Sequence, residues 1–354
     1  MLRNATEPGS ANGELQTIQI SVDQTAISPK ISAVVCTCNN ARSLEATLAS
    51  LAKQQFPPVA GYEVWIVDNN SSDDTATVAR KFTECEGSVF RCVFERAQGL
   101  SFARNRGTKE ARGEVIAFID DDAVADPDWL AQLWATYQRE PSAACVGGKV
   151  VLQFPSASRP EWYDTRLDGY LSARDLPYGQ ARSEKDFPHG TNISFRKSEL
   201  ERLGGFHPLL GARMVGGVKL QGDETQLCLR LLRSGKSIWF QPAARVVHVV
   251  SEARLCKEYF LGLAQTSGYV RVMLDNHGAI GVSTFAQLRR YFLRYVRLCR
   301  EHRRVSASLS PADRFSSEVT LRCCWASVWY CLVAKRKLRR LAQELETEQR
   351  RTNS

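Results

Sequence analysis

Several large classes of protein are excluded by what this chain lacks. Its 11 cysteines occur singly or as the close pairs Cys36/Cys38 and Cys323/Cys324, with no C-x-x-C pair. Nor does any Cys/His cluster fall at zinc spacing, which argues against zinc fingers and ribbons. No stretch reaches the roughly 18 to 20 apolar residues of a membrane-spanning helix. Met1 to Lys30 is polar and has no apolar centre. A secretory signal is therefore not expected, and the thiols are expected to be reduced in the cytoplasm. Neither G-x-x-x-x-G-K-[ST] nor G-x-G-x-x-G occurs, which argues against a P-loop ATPase and against an NAD enzyme with the standard fingerprint.

What is present is a chain of 354 residues, 44% hydrophobic and 24% charged, enough for one large or two moderate globular domains. The net charge of +9 is unevenly placed. Residues 1–252 hold 28 Lys and Arg against 30 Asp and Glu, whereas 253–354 hold 19 against 8. The basic last third suggests an anionic surface as partner, lipid head groups or nucleic acid, with a solvated helical face as the plain alternative.

The most informative stretch is Val115-Ile116-Ala117-Phe118-Ile119-Asp120-Asp121-Asp122-Ala123, an apolar run that passes directly into three carboxylates. Short, β-branched and aromatic, with Gly113 before it, the run predicts an interior strand of a parallel sheet. Ligands of open α/β sheets bind at the carboxyl ends of such strands. Adjacent carboxylates repel one another unless a cation sits among them, so a hard divalent metal, Mg²⁺ or Mn²⁺, is the natural occupant. An acidic loop capping the next helix is the alternative.

The rest of the chain supplies the rounds of strand and helix that such a sheet needs. After a leader to about Lys30, Ile31 to Cys36 predicts a first strand, followed by a helix capped by Ser43 and stopped by Pro57-Pro58. Tyr62 to Val67 is a second strand, and the Asp68–Thr75 turn opens a helix to about Phe82. Val89 to Phe94 and Ser101 to Ala111 form a third round. Asp126-Pro127 gives a cap and a first-turn proline to a helix carrying Leu130, Leu133, Trp134 and Tyr137 on one face. The alternation implies a mostly parallel sheet with right-handed crossovers. A strand follows over Cys145–Leu152, then a long loop over a site at 153–188, flexible or ordered by ligand. Beyond it come a strand after His189, a short helix to Leu203, a helix opened by Asp223-Glu224, and a strand pair over Ile238–Val250 broken at Pro242. From Ser251 the texture is helical and basic. The apolar run at 319–334 is too short to cross a bilayer; it lies in an interface or packs on the body.

These residues, in this order, resemble the family-2 inverting glycosyltransferases of the GT-A fold over about residues 31–250. The resemblance is carried by Val34 to Asn39, Val67 to Asp73, Gly99 to Asn105, Phe118 to Asp122, Leu203-Gly204-Gly205-Phe206, and Asp223-Glu224 with Leu227 to Arg230. It implies an α/β fold of GT-A type, a mostly parallel sheet flanked by helices. Residues 31–150 would form a nucleotide-sugar-binding half, 151–250 an acceptor half, and 251–354 a helical basic region after a disordered leader at 1–30. It implies an inverting transfer of a sugar from a nucleoside diphosphate, a UDP-sugar by family frequency, to a hydroxyl of a polysaccharide, lipid-linked saccharide or protein. A nucleotidyltransferase on a related sheet, and a non-catalytic membrane or nucleic-acid adaptor on the same scaffold, are the rival readings. The adaptor has no reason to retain the acidic residues, and no nucleic-acid partner is expected.

The resemblance also implies roles. Thr37 and Asn39 would bond the base or ribose, and Asp68 would accept from the base imide, in keeping with their places at strand ends. The Asp68–Asp74 cluster also serves as a turn and helix cap. Arg104 would meet the diphosphate or the first triplet carboxylate, with a structural ion pair as the alternative. Asp120 and Asp122 match the defined positions of the family's D-x-D: Asp122 would bind Mn²⁺ or Mg²⁺, and Asp120 the ribose or a metal-bound water. His248 stands where many relatives place a further metal ligand, and is otherwise structural. Relatives read Glu-Asp where this chain reads Asp223-Glu224 and use the second residue as base, which favours Glu224 over Asp223. The expected location is the cytoplasm, with peripheral contact to the inner face of the membrane left open.

Overall fold

The apolar runs at Ile31 and Val115 lie side by side at the centre of a nine-stranded sheet. The computed structural model describes residues 28–340, apart from 157–158, 212, 216–217, 277 and 337, together with residue 343. Most of the expected leader and of the extreme C-terminus falls outside the described residues. In chain order the elements of the first half are β1 (Ile31–Thr37), α1 (Ala41–Leu51), β2 (Tyr62–Asp68), α2 (Thr75–Thr83), β3 (Phe90–Phe94), α3 (Leu100–Glu110), β4 (Val115–Asp120), β5 (Ala123–Ala125), α4 (Trp129–Arg139) and β6 (Ala143–Gln153). They are followed by β7 (Gly179–Gln180), β8 (Asn192–Arg196), α5 (Lys197–Leu203), a hairpin of β9 (Arg213–Val215) and β10 (Val218–Leu220), α6 (Asp223–Arg233) and β11 (Ser237–Val249). Three long helices follow: α7 (Lys257–Asp275), α8 (Phe285–Val305) and α9 (Pro311–Trp329).

The main sheet has the order β3-β2-β1-β4-β8-β6-β11-β5, with β7 on β11. Strands β1 to β4, β6 and β11 point one way, while β8, β5 and β7 oppose them. The register puts Thr37 beside Asp68 and Cys36 beside Asp120, so the polar ends of β1, β2 and β4 form one row.

Alternation along these strands sends successive side chains to opposite faces. Ala33 and Val35 pack with Leu44, Leu48 and Leu51 of α1 and Leu130 and Leu133 of α4. Val34, Ile116 and Phe118 face Ala103 of α3, Leu200 of α5 and Leu227 of α6 on the other side. Each of these fully buried leucines contributes about 1.5–3 kcal/mol relative to exposure. The result is three layers, with the row of strand ends left open at one edge.

Four local expectations are corrected. Helix α1 begins at Ala41, its amide satisfied by Asp73 at 3.1 Å, and Ser43 lies inside it. Helix α4 begins at Trp129, because the Asp126–Trp129 turn precedes it. The strand pair expected at 238–250 is the single strand β11, whose register shifts between Gln241 and Val246; Pro242 sits in that bulge, where a missing donor costs nothing. The described residues of the 153–188 segment pack on protein around Trp162 and Tyr163. Trp162 and Tyr163 stack edge-on against Phe260 of α7, Trp162 also meets Phe315 of α9, and Arg166 pairs with Asp313.

The 319–334 run packs rather than lying free: Val319, Cys323 and Val328 are buried. Gly268 lets α7 approach α9, since a Cβ there would come within 2.4 Å of the Cys323 carbonyl oxygen.

Candidate active site

A cleft of about 820 Å³ opens over the carboxyl ends of β1 and β4. Thr37, Arg104, Asp120, Asp121, Asp122, Asp223, Glu224 and His248 line it together, although they come from six separate elements and turns. Asn39 and Asp68 do not line it. The Asn39 side-chain oxygen accepts from the Ser72 amide at 2.7 Å, and Asp68 accepts from the Ser71 amide at 2.9 Å, so both shape the neighbouring turn. Asn69 lines the cleft instead; its amide donates to the Ala97 carbonyl and accepts from the Gly99 amide, fixing the loop that precedes α3.

The triplet divides into three environments. Asp120 accepts a 2.6 Å hydrogen bond from the Thr191 hydroxyl and lies 3.7 Å from Arg104. Asp121 accepts from Asn40 at 2.8 Å; burial pushes its carboxyl up to about 7, against the pull of that hydrogen bond. Burial alone would raise Asp122 too, but His248 at 3.2 Å and Arg254 at 2.7 Å outweigh it and hold Asp122 below the usual carboxylate range.

His248 is oriented by the sheet. The β11–β5 pairing sets it opposite Ala123, the residue after the triplet. Its Nδ1 meets the Leu171 carbonyl at 2.7 Å and must carry a hydrogen there, while Nε2 lies 2.8 Å from Arg254 Nη1 and faces Asp122. Burial lowers the affinity of the imidazole for a proton, and Asp122 more than restores it, so the net shift is upward. An Nε2 lone pair and a carboxylate converging in this way fit a borderline-hard divalent cation, and the Nδ1 bond is the usual brace of a ligating histidine. Arg254 holds the other Asp122 oxygen, Oδ2.

Opposite the triplet, the start of α6 presents its two carboxylates differently, since consecutive helical residues point about 100° apart. Asp223 turns inward, only 1% exposed, and meets Arg104 at 2.7 Å. Arg104 is itself buried between Phe118 and Phe206, reaches the Gly190 carbonyl at 3.2 Å, and has its charge further raised in preference by Glu224 and Asp120, each 3.7 Å away. The side chain of Glu224 keeps 21% exposure to the cleft. Burial first, and the Asp223 charge second, push its carboxyl up to about 8 against the opposing pull of Arg104.

Thr191, Arg254, Tyr259 and Tyr170 also line the cleft and were not singled out by sequence. Arg254 lies six residues past His248, where the chain turns basic, and its contacts with His248 and Asp122 are hidden within a run of charge.

The fold is that of the GT-A glycosyltransferases. A mannosyltransferase from Pyrobaculum calidifontis, solved with GDP-Man and Mn²⁺, superposes with a TM-score of 0.51 at 20% identity, over 87% of this chain and 74% of that one. GalNAc-T7, solved with UDP, GalNAc and Mn²⁺, gives 0.50 at 18% identity, over 70% and 49%. The family model described as Glycosyl transferase family 2 matches residues 32–204. The glucosyl-dolichyl phosphate glucuronosyltransferase of Haloferax volcanii is 30% identical over 249 residues, 70% of this chain and 77% of that protein. Glycosyltransferase AglE of the same organism is 26% identical over 182 residues, 51% of this chain and 57% of that one. The chain belongs to glycosyl transferase family 2 and is a glycosyltransferase. That membership sets aside the nucleotidyltransferase and adaptor readings.

Proposed function

We propose that the cleft binds a nucleoside diphosphate sugar and transfers its sugar, with inversion, to an acceptor hydroxyl deprotonated by Glu224. The observation that carries this reading is the contrast at the start of α6. Asp223 is spent on a buried ion pair, whereas Glu224 faces the cleft with a proton affinity suited to a base near neutral pH. The acceptor oxygen attacks the anomeric carbon as its proton passes to Glu224, the bond from that carbon to the diphosphate oxygen breaks, and the nucleoside diphosphate leaves. A single displacement of this kind inverts the anomeric centre. Arg104 and Asp223 position Glu224 and take no part in the proton transfer.

Asp122 and His248 would hold a divalent cation, Mn²⁺ or Mg²⁺, with Asp120 beside them; when bound, the cation supplies charge neutralisation to the leaving diphosphate. Arg254, which now holds both Asp122 Oδ2 and His248 Nε2, is the residue such a cation would displace, and its guanidinium would then be available to the diphosphate. Thr37 lies where the nucleoside would sit. Asn39 and Asp68 bear on it through the Ser71-Ser72 turn. UDP-sugars remain the favoured donors.

The name of the Haloferax volcanii relative, which acts on glucosyl-dolichyl phosphate, favours a lipid-linked saccharide as acceptor. Such an acceptor favours a peripheral position at the cytoplasmic face of a membrane; among the described residues no helix is long and apolar enough to cross one. The test is a thermal-shift panel of UDP-, GDP-, dTDP- and CDP-sugars with and without Mn²⁺. A shift that needs both donor and metal supports the reading; no metal-dependent shift with any of them overturns it.

A further inference from the structure

The apolar run at 319–334 turns Val319, Cys323 and Val328 inward against α7 and α8 and leaves Trp325, Leu332 and Val333 exposed. The outward surface of α8 has the opposite character. Phe285 is 80% exposed, Phe292 49% and Leu293 52%. At 100° per residue these three fall on the same arc as Arg289, Arg297, Arg300 and Arg304, all exposed, while Tyr291 alone in this helix is buried. The helix holds seven arginines against a single acidic residue, Glu301, which stands 3.7 Å from Arg297. Arg290 is turned aside to Asp275.

We infer that this face of α8 docks on an anionic lipid surface, with the helix lying in the plane of the head groups. The inference rests on the membrane-side reading above and names the surface that reading needs. Water satisfies neither half of the arc, since it leaves large apolar side chains hydrated and a row of like charges unscreened. A bilayer bearing phosphate head groups satisfies both: arginines meet phosphates and the phenylalanines and leucine enter the acyl boundary. A nucleic-acid duplex would use the arginines and leave the apolar residues exposed. Trp325 of α9, 40% exposed and stacked 5.1 Å from Tyr295 of α8, extends the apolar margin.

The experiment is vesicle flotation of the full chain, without donor, on phosphatidylcholine alone and on phosphatidylcholine with phosphatidylglycerol. One variant carries Arg289→Gln, Arg297→Gln, Arg300→Gln and Arg304→Gln; a second carries Phe285→Ser, Phe292→Ser and Leu293→Ser. A control removes four exposed charges elsewhere, through Arg42→Gln, Lys53→Gln, Arg80→Gln and Lys109→Gln. Thermal midpoints of all variants are compared with wild type, and if the fourfold arginine variant is unfolded the single Arg300→Gln change replaces it. Wild type should float only with the anionic vesicles. The arginine variant should lose affinity by on the order of 10²- to 10³-fold, at about fivefold per charge near an anionic surface. The serine variant should bind at least about tenfold more weakly with its charge unchanged, and the control should bind as wild type. Equal binding to neutral vesicles, an equal loss in the control, an unaffected serine variant, or a dimer of the free chain that the serine variant dissociates would each overturn the assignment. Because no donor is present, these outcomes are independent of the donor panel.

Discussion

Replacing Glu224 and Asp223 one at a time separates catalysis from scaffolding at adjacent positions. Asp223 and Arg104 form a fully buried pair at 2.7 Å, and Asp223→Asn leaves the guanidinium short of its closest anion. Breaking a buried pair costs about 3–5 kcal/mol; the lower end applies, because Asp120 and Glu224 still lie 3.7 Å from Arg104. With the Asp223 charge gone, Glu224 becomes a weaker base but is more fully ionised, so turnover at neutral pH should fall by about tenfold or less. Glu224→Gln removes only a 3.7 Å neighbour of Arg104, keeps the 2.7 Å pair with Asp223, and should leave the unfolding midpoint and donor affinity near wild type. It removes the base, which costs about 10²- to 10⁴-fold in turnover. Urea unfolding read beside single-turnover release of nucleoside diphosphate distinguishes the two. A large loss of turnover in Asp223→Asn with near-normal turnover in Glu224→Gln would refute the assignment and make Asp223 the base.

The single-turnover rate should rise with pH through the elevated range of Glu224 and level off above it, because the carboxylate is the active form and burial with Asp223 delays its ionisation; Glu224→Gln should abolish that limb. Asp122→Asn should eliminate the divalent-cation dependence of donor binding in calorimetry, since an amide offers a hard cation no charge; unchanged dependence removes Asp122 from the site. Gly268→Ala would drive a Cβ to 2.4 Å from the Cys323 carbonyl oxygen and 2.6 Å from Ala326, both on α9. It should lower stability by about 1–3 kcal/mol in urea unfolding; an unchanged midpoint would contradict the close packing of α7 on α9.

Much of this architecture is legible because its signals are local. The runs at Ile31, Tyr62 and Val115 end in polar residues, and strands apolar on both faces, with one-face helices between them, then dictate three layers. Pro242 misleads because a proline in a strand reads as a break, whereas the bulge of β11 absorbs it. The same strand, by pairing with β5, brings His248 to Asp122 over a separation of more than a hundred residues, which only the sheet register can specify. Asp223 and Glu224 are visible as a pair, but which one faces the cleft depends on the helix phase and on the buried Arg104 from α3. Arg254 and Thr191 carry no local signal, since a cation within a basic stretch and a threonine before a strand are commonplace. The 319–334 run stays open between an interface and a packed helix for a related reason: its apolar residues are evident, yet only the placement of α7 and α8 decides that Val319, Cys323 and Val328 face protein while Trp325, Leu332 and Val333 do not.

The most direct measurement is a proton NMR time course of the wild-type enzyme with the donor that stabilises it, Mg²⁺ or Mn²⁺, and a soluble hydroxyl acceptor or water. The coupling of the first-formed anomeric proton reports the stereochemistry. Single displacement requires release of the nucleoside diphosphate together with a sugar of the opposite anomeric configuration, and a rate that collapses in Glu224→Gln. A first product of retained configuration, or a rate indifferent to Glu224→Gln, would contradict it.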